Sequence, residues 1–227
     1  MKAVTVLEEW NEEELVPELT EFRAAVDRIK NRRDSILIKA LYLLALRVHE
    51  IATKASPSLM SLTKPLGQYI EVSIHRGYRL GDKEIPIGLF KCPVLKRKPK
   101  SKRRKLVYKI IALPCDPVYE PWALDLLRWI KDNGKLGFDL TAIQINRIVK
   151  RHLSIIDNKV HTHSLRHWRA THLVAYYNFD GWDLCNYMGW TYGSFHGKMN
   201  MPTGKSDIYV HLAWKRYFPK LLLPLKT

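Results

Sequence analysis

The densest group of side chains able to handle a charged substrate runs from His161 to Leu173 and reads HTHSLRHWRATHL. It places His161, His163, His167 and His172 beside Arg166 and Arg169. Imidazoles move protons near neutral pH, and a guanidinium stays charged while gripping phosphate with two parallel N–H donors. Leu165, Trp168, Thr171, His172 and Ala175 recur at three- and four-residue steps, which predicts a helix. His163 and Arg166 then lie one turn apart near its N-terminus, where free N–H groups and the helix dipole favour an anion. Three chemistries fit the residue types. One is a solvated basic helix with a few core histidines. A second is a metal site on His163 and His167, four apart, although no Asp, Glu or Cys lies close by. The third is a phosphodiester-handling site.

Two further clusters bear on that choice. The apolar run ILIKALYLLALRVHEI ends abruptly in Arg47, His49 and Glu50. A buried helix from about Ser35 to Ile51 is expected there, and its charged end either caps the helix or presents a site. An isolated Arg–Glu pair three apart is otherwise an ordinary helix-surface pair. Residues 96–105, KRKPKSKRRK, hold eight Lys or Arg in ten. Such a run is a solvated charge tract, a nuclear-targeting tract or, on a hairpin tip, a finger that grips DNA phosphates.

HSLRHWRATHL resembles the H-x-L-R-H-x-x-A-T-H-L helix of the tyrosine recombinases (phage-type integrases), and LALRVHEI resembles their T-G-L-R-x-x-E-L stretch. The resemblance implies that Arg47 and Arg166 bind the scissile phosphate with His163 beside them, and that Glu50 braces them from behind. It implies a catalytic lysine on a β-hairpin ahead of a strand end matched by Ala112-Leu113-Pro114. Lys98, Lys100 and Lys102 are the candidates, and Lys100 is taken. Met188-Gly189-Trp190 matches the family's L-G-H, so Trp190 replaces a histidine; its indole donates a hydrogen bond but cannot shuttle a proton. Tyr209, in the setting I-Y-x-H-L, matches the nucleophile. It lies 19 residues beyond Trp190, a longer gap than the family pattern has, with Tyr192 and Tyr217 as the other tyrosines nearby. The implied reaction cleaves and rejoins DNA through a 3′-phosphotyrosine, with no metal, ATP or other cofactor. Lys96, Arg97, Lys98, Lys102, Arg103, Arg104 and Lys105 would bind double-stranded DNA, and the chain would self-associate on it as a dimer to tetramer. The alternatives are a DNA-binding protein with this fold and no chemistry, and a metal-dependent nuclease using the histidines.

The elements that must position these groups read as mainly α with a small antiparallel β-sheet, an α+β fold like the recombinase and type IB topoisomerase catalytic domains. Residues 1–22 form an acidic lead-in, rich in Glu between Glu8 and Glu21, and 23–227 are expected to be one catalytic domain without a separate N-terminal DNA clamp. Helices are expected over 19–54, 117–134 (burying Leu124, Leu127 and Trp129), from Thr141, and up to Gly189. YIEVSIHRGYRL, IGLFKCPVL and KLVYKIIALP read as strands. The 38 Lys+Arg against 22 Asp+Glu leave a charge of +16, which calls for a polyanionic partner, nucleic acid before membrane. Cys92, Cys115 and Cys185 are widely spaced and read as reduced thiols of an intracellular protein. No apolar run has membrane-spanning length.

Overall fold

The computed structural model describes residues 16–55, 64–95, 106–190 and 214–223. Helix α1 (Leu19–Asp27) buries Leu19, Phe22 and Val26, one face at helical spacing. It starts within the expected acidic lead-in, so the packed body begins before residue 23. Asn31 caps α2 (Arg32–Leu43) by accepting from the Asp34 N–H at 3.1 Å, and every residue from Asp34 to Leu46 is buried. The central buried helix is therefore present, but it is shorter than its apolar run.

Its end is the main departure from the expected helix over 35–51. Ala45 takes a left-handed conformation, φ 43°. The Leu46 N–H then reaches back to the Leu41 carbonyl at 3.1 Å, and the Ala45 N–H to that of Tyr42 at 3.0 Å. These are the two hydrogen bonds of a Schellman closure, and its left-handed position usually carries glycine. In the T-G-L-R pattern the glycine falls where this chain has Ala45. Helical periodicity continues past this point, so apolar pattern alone hides the stop. The chain restarts as a one-turn helix, α3 (Val48–Ile51), with Arg47 at its N-cap.

Strands β1 (Glu71–Leu80), β2 (Lys83–Pro93) and β3 (Tyr108–Pro114) form an antiparallel sheet in the order β1-β2-β3. Pairing of Pro93 with Tyr108 and the 2.8 Å bond from Val94 N–H to the Val107 carbonyl bring together the residues that flank the basic stretch. Residues 96–105 themselves lie outside the described residues.

Pro121 opens α4 (Pro121–Asn133), which ends on left-handed Gly134. Its buried residues are Trp122, Ala123 and Leu126, whereas Leu124, Leu127 and Trp129 are only partly covered. The helix is turned so that Trp122 meets Phe22 and Tyr42 edge-on, at ring separations of 5.8 and 5.9 Å. Thr141 caps α5 (Ala142–Leu153) in reciprocal hydrogen bonds with Gln144, as its position ahead of an apolar-periodic run predicts. Then come α6 (Thr162–Tyr177), α7 (Gly181–Met188) and a final turn, α8 (Trp214–Tyr217), running into a 3₁₀ segment. Tyr217 is buried, accepts from the Ala112 N–H and donates to the Ile110 carbonyl, both at 3.1 Å. No described helix is long and apolar enough to cross a membrane.

Candidate active site

The His161–Leu173 stretch forms the first three turns of α6, and the helix sorts its charged residues by face. His163 and His167 are exposed, while Leu165, Arg166, Trp168, Arg169 and His172 are buried. Among the described residues, no three His, Cys, Asp or Glu side chains converge as a metal-binding group. His172 is a core residue. Its Nε2–H donates to the Pro17 carbonyl at 2.8 Å, so in the neutral ring Nδ1 accepts from the Tyr42 hydroxyl at 2.7 Å. Burial, with the Arg169 charge adding to it, pushes the imidazole down to about 4, so it is neutral at physiological pH.

The two arginines part company. Arg169 is fully buried in a cage of Tyr42, Tyr177 and Tyr187, with its charge 5.1–5.5 Å from their ring centres. It donates to the Tyr187 hydroxyl, which donates in turn to the Leu43 carbonyl. Arg166, one turn earlier on the same buried face, has different partners. One of its terminal nitrogens donates to the Ala45 carbonyl and the other to the Met188 carbonyl, the latter at 2.6 Å. Its guanidinium carbon lies 5.8 Å from the Trp190 ring centre. Tryptophan at the end of α7 therefore stands beside Arg166.

Arg47 and Glu50 complete this side of the molecule. Glu50 is fully buried; its carboxylate accepts from the Arg47 guanidinium at 2.9 Å, the Arg47 N–H at 2.8 Å and the Leu95 N–H at 3.0 Å. Burial alone would raise its pKa, but the Lys109 ammonium, these two N–H groups and Arg166 lower it below the usual carboxylate value. Glu50 is thus an anion, and Leu95, bonded to it, is the residue directly before the basic tract.

Lys109 is the member that sequence reasoning missed. It sits on β3, 2 % exposed, and its Nζ donates to the carbonyls of Leu44 at 2.7 Å and Ala45 at 2.9 Å. Burial first, and then the Arg166 guanidinium, press its amine down to about 7, against the pull of Glu50. One signal was legible: within VYKIIALP the lysine shares the inward alternation of Ile111 and Leu113. Gly189, left-handed at φ 70°, crosses directly above it; an added Cβ would lie 3.1 Å from Lys109 Cδ.

The cluster therefore sets three basic groups, Arg47, Lys109 and Arg166, around one carboxylate. Burial and Arg47 draw Arg166 down to about 10, which leaves it protonated at neutral pH. A surplus of cations in a partly dry site is relieved by a bound anion, and guanidinium donors suit phosphate oxygens. The structure brings together Arg47, Glu50, Arg166 and Trp190 and adds Lys109, with His163 one turn before Arg166 on the exposed face. Lys100, Tyr209 and the tract residues Lys96, Arg97, Lys98, Lys102, Arg103, Arg104 and Lys105 lie outside the described residues. Tyr217, held against β3 by two backbone hydrogen bonds, has a structural place. Comparison with protein-family models, with curated proteins and with solved structures gives no match.

Proposed function

We propose that this chain is a tyrosine-type DNA recombinase with a recombinase-like catalytic fold, which cleaves and rejoins DNA through a phosphotyrosine without metal or ATP. One observation carries the reading: Arg47 and Arg166, from distant parts of the chain, meet around Glu50 where α2 breaks. In this reaction the Tyr209 oxygen bonds to phosphorus as the phosphorus–O5′ bond breaks. Arg47 and Arg166 hold the non-bridging oxygens, whose negative charge grows in the transition state. His163 takes the tyrosine proton, and a lysine of the 96–105 tract, Lys100 in our assignment, protonates the departing 5′-oxygen. The 3′-phosphotyrosine keeps the bond energy, and attack by a free 5′-hydroxyl reverses the step. Charge supports the partner: +16 overall, with eight cations beginning one residue beyond Leu95. Self-association on DNA, as a dimer to tetramer, belongs to the same proposal.

A second reading, a DNA-binding protein without chemistry, is favoured by one feature. The Arg166 guanidinium already has two hydrogen bonds to backbone carbonyls, and the Arg47 guanidinium has one to Glu50. The two readings separate in a trapping experiment with nicked duplex DNA in EDTA, resolved on a denaturing gel. A chelator-resistant protein–DNA adduct in wild type that is absent in Tyr209→Phe and Arg166→Ala supports the recombinase. DNA binding without adduct supports the binding protein. An adduct that survives Tyr209→Phe moves the nucleophile to another tyrosine, Tyr192 first.

A further inference from the structure

We infer that Lys109 is the positioning residue of this site: its buried nitrogen holds the broken end of α2, and through it sets Arg47 and Arg166 at a fixed mutual placement. The inference rests on the recombinase reading and concerns a residue that does not itself touch the substrate.

The geometry is specific. Lys109 spans the Leu44 and Ala45 carbonyls, and the second of these also accepts from Arg166. Two residues further along, the same backbone carries Arg47. A movement of the 44–46 segment would therefore shift one arginine directly and remove a support of the other. The segment needs holding, because Ala45 occupies a left-handed conformation that a Cβ disfavours. The Tyr187 hydroxyl secures Leu43 from α7, and Lys109 secures the next two carbonyls from β3.

The choice of residue argues in the same direction. Ile111 and Leu113, at alternate positions on the same strand, are buried and apolar, so an aliphatic side chain suits the Lys109 position for packing alone. A buried ammonium opposes stability. Among the described residues, the groups that face it are Arg166 from α6, Arg47 and Glu50 around α3, and Cys92 from β2. Two of these are cations, Cys92 is held as the neutral thiol by burial, and the single carboxylate is hydrogen-bonded to Arg47 and Leu95. Lysine here costs stability and gives two directed hydrogen bonds to the site's backbone, strongest when the amine is protonated.

The test compares wild type with Lys109→Met and Lys109→Arg in single-turnover cleavage of the nicked duplex. DNA affinity and thermal melting are measured alongside. Lys109→Met is expected to melt at or above the wild-type temperature and to bind DNA within about twofold, yet to cleave on the order of 100-fold more slowly near neutral pH, the scale of a slight misplacement of catalytic groups. The ratio of wild-type to Lys109→Met rates should fall as pH rises through the loss of the lysine proton. Lys109→Arg, permanently charged, should hold its rate on the alkaline side, where wild type declines. A pH-independent ratio near one overturns the inference. So does a loss of DNA affinity equal to the loss of rate, which would make Lys109 a direct phosphate ligand. If Lys109→Met does not fold, the alkaline limb of Lys109→Arg decides: a retained rate supports positioning, and a decline parallel to wild type overturns it. No adduct in wild type at any pH removes the recombinase reading itself, an outcome distinct from all of these.

Discussion

Lys109 of β3 and Arg166 of α6 donate to the same oxygen, the carbonyl of Ala45. Two cations can share one neutral acceptor when that acceptor belongs to a helix end, where carbonyls lack intrahelical partners and the dipole is negative. The break in α2 is thus the point at which the sheet, α6 and α7 are joined. Leu43, Leu44 and Ala45 each accept from a side chain of another element.

Glu50 supplies the counter-charge of this cluster, and Glu50→Gln tests its weight. The change leaves Arg47, Lys109 and Arg166 without a buried carboxylate and should destabilise the protein by about 3–5 kcal/mol, as breaking a buried ion pair does. Chemical denaturation gives the value. Lys109→Met placed on top of Glu50→Gln should recover part of the loss, because it removes one of the uncompensated charges, and the double-mutant cycle measures that coupling.

Stability should fall on the acid side in a window set by His172. Its folded-state pKa, about 4, lies below the ordinary 6.5, so between these values the unfolded chain binds more protons than the folded one. The contribution of His172 is therefore complete above pH 6.5 and is lost progressively towards pH 4. Melting temperatures of wild type and His172→Gln across this range should differ in slope, with the glutamine variant flatter. Parallel curves would remove His172 from the acid response.

Tyr187 links the caged arginine to the helix break. Tyr187→Phe takes away the donor to Leu43 and the acceptor of Arg169, and leaves a fully buried guanidinium short of a partner. The cost should be about 1–3 kcal/mol. Urea titration of the variant checks it, and a value near zero would show that water or the aromatic faces satisfy Arg169 unaided.

If the chain binds DNA as proposed, the affinity should weaken with salt in proportion to the number of phosphates that the basic tract neutralises. Replacing Lys96, Arg97 and Lys98 with glutamine should reduce the slope of log K against log salt by about 0.9 for each phosphate no longer neutralised. Fluorescence anisotropy over a salt series reads this directly. An unchanged slope would place the DNA-binding charge elsewhere on the chain.

How much of this was legible beforehand depended on the range of the interactions. The Thr141 cap, the stop at Gly134, the helical face of His161–Leu173 and the end of α7 at Gly189 follow from residues within a few positions of one another. The same holds for the alternating strands that make the body α+β. Arg47, Glu50, Arg166 and Trp190 could be named as a set, since each lies in a short recognisable string. That Arg47 and Arg166 meet was implied by the resemblance alone; that they do so at a left-handed break in α2 could not be read, because nothing local relates residue 47 to residue 166.

The sequence by itself determined which segments become helix or strand and that the chain carries a large cationic excess, since propensity, periodicity, capping and charge are properties of neighbouring residues. Tertiary structure decided three things. It ended α2 at Leu43 although the apolar pattern runs on, because left-handed Ala45 closes the helix and donors from three other elements hold the carbonyls there. It sent Arg166 to the cluster and Arg169, three residues later, into a tyrosine cage. And it buried Lys109 beneath the site, because only the packed sheet brings β3 against the broken helix, where two carbonyls offset part of the cost of burying its charge.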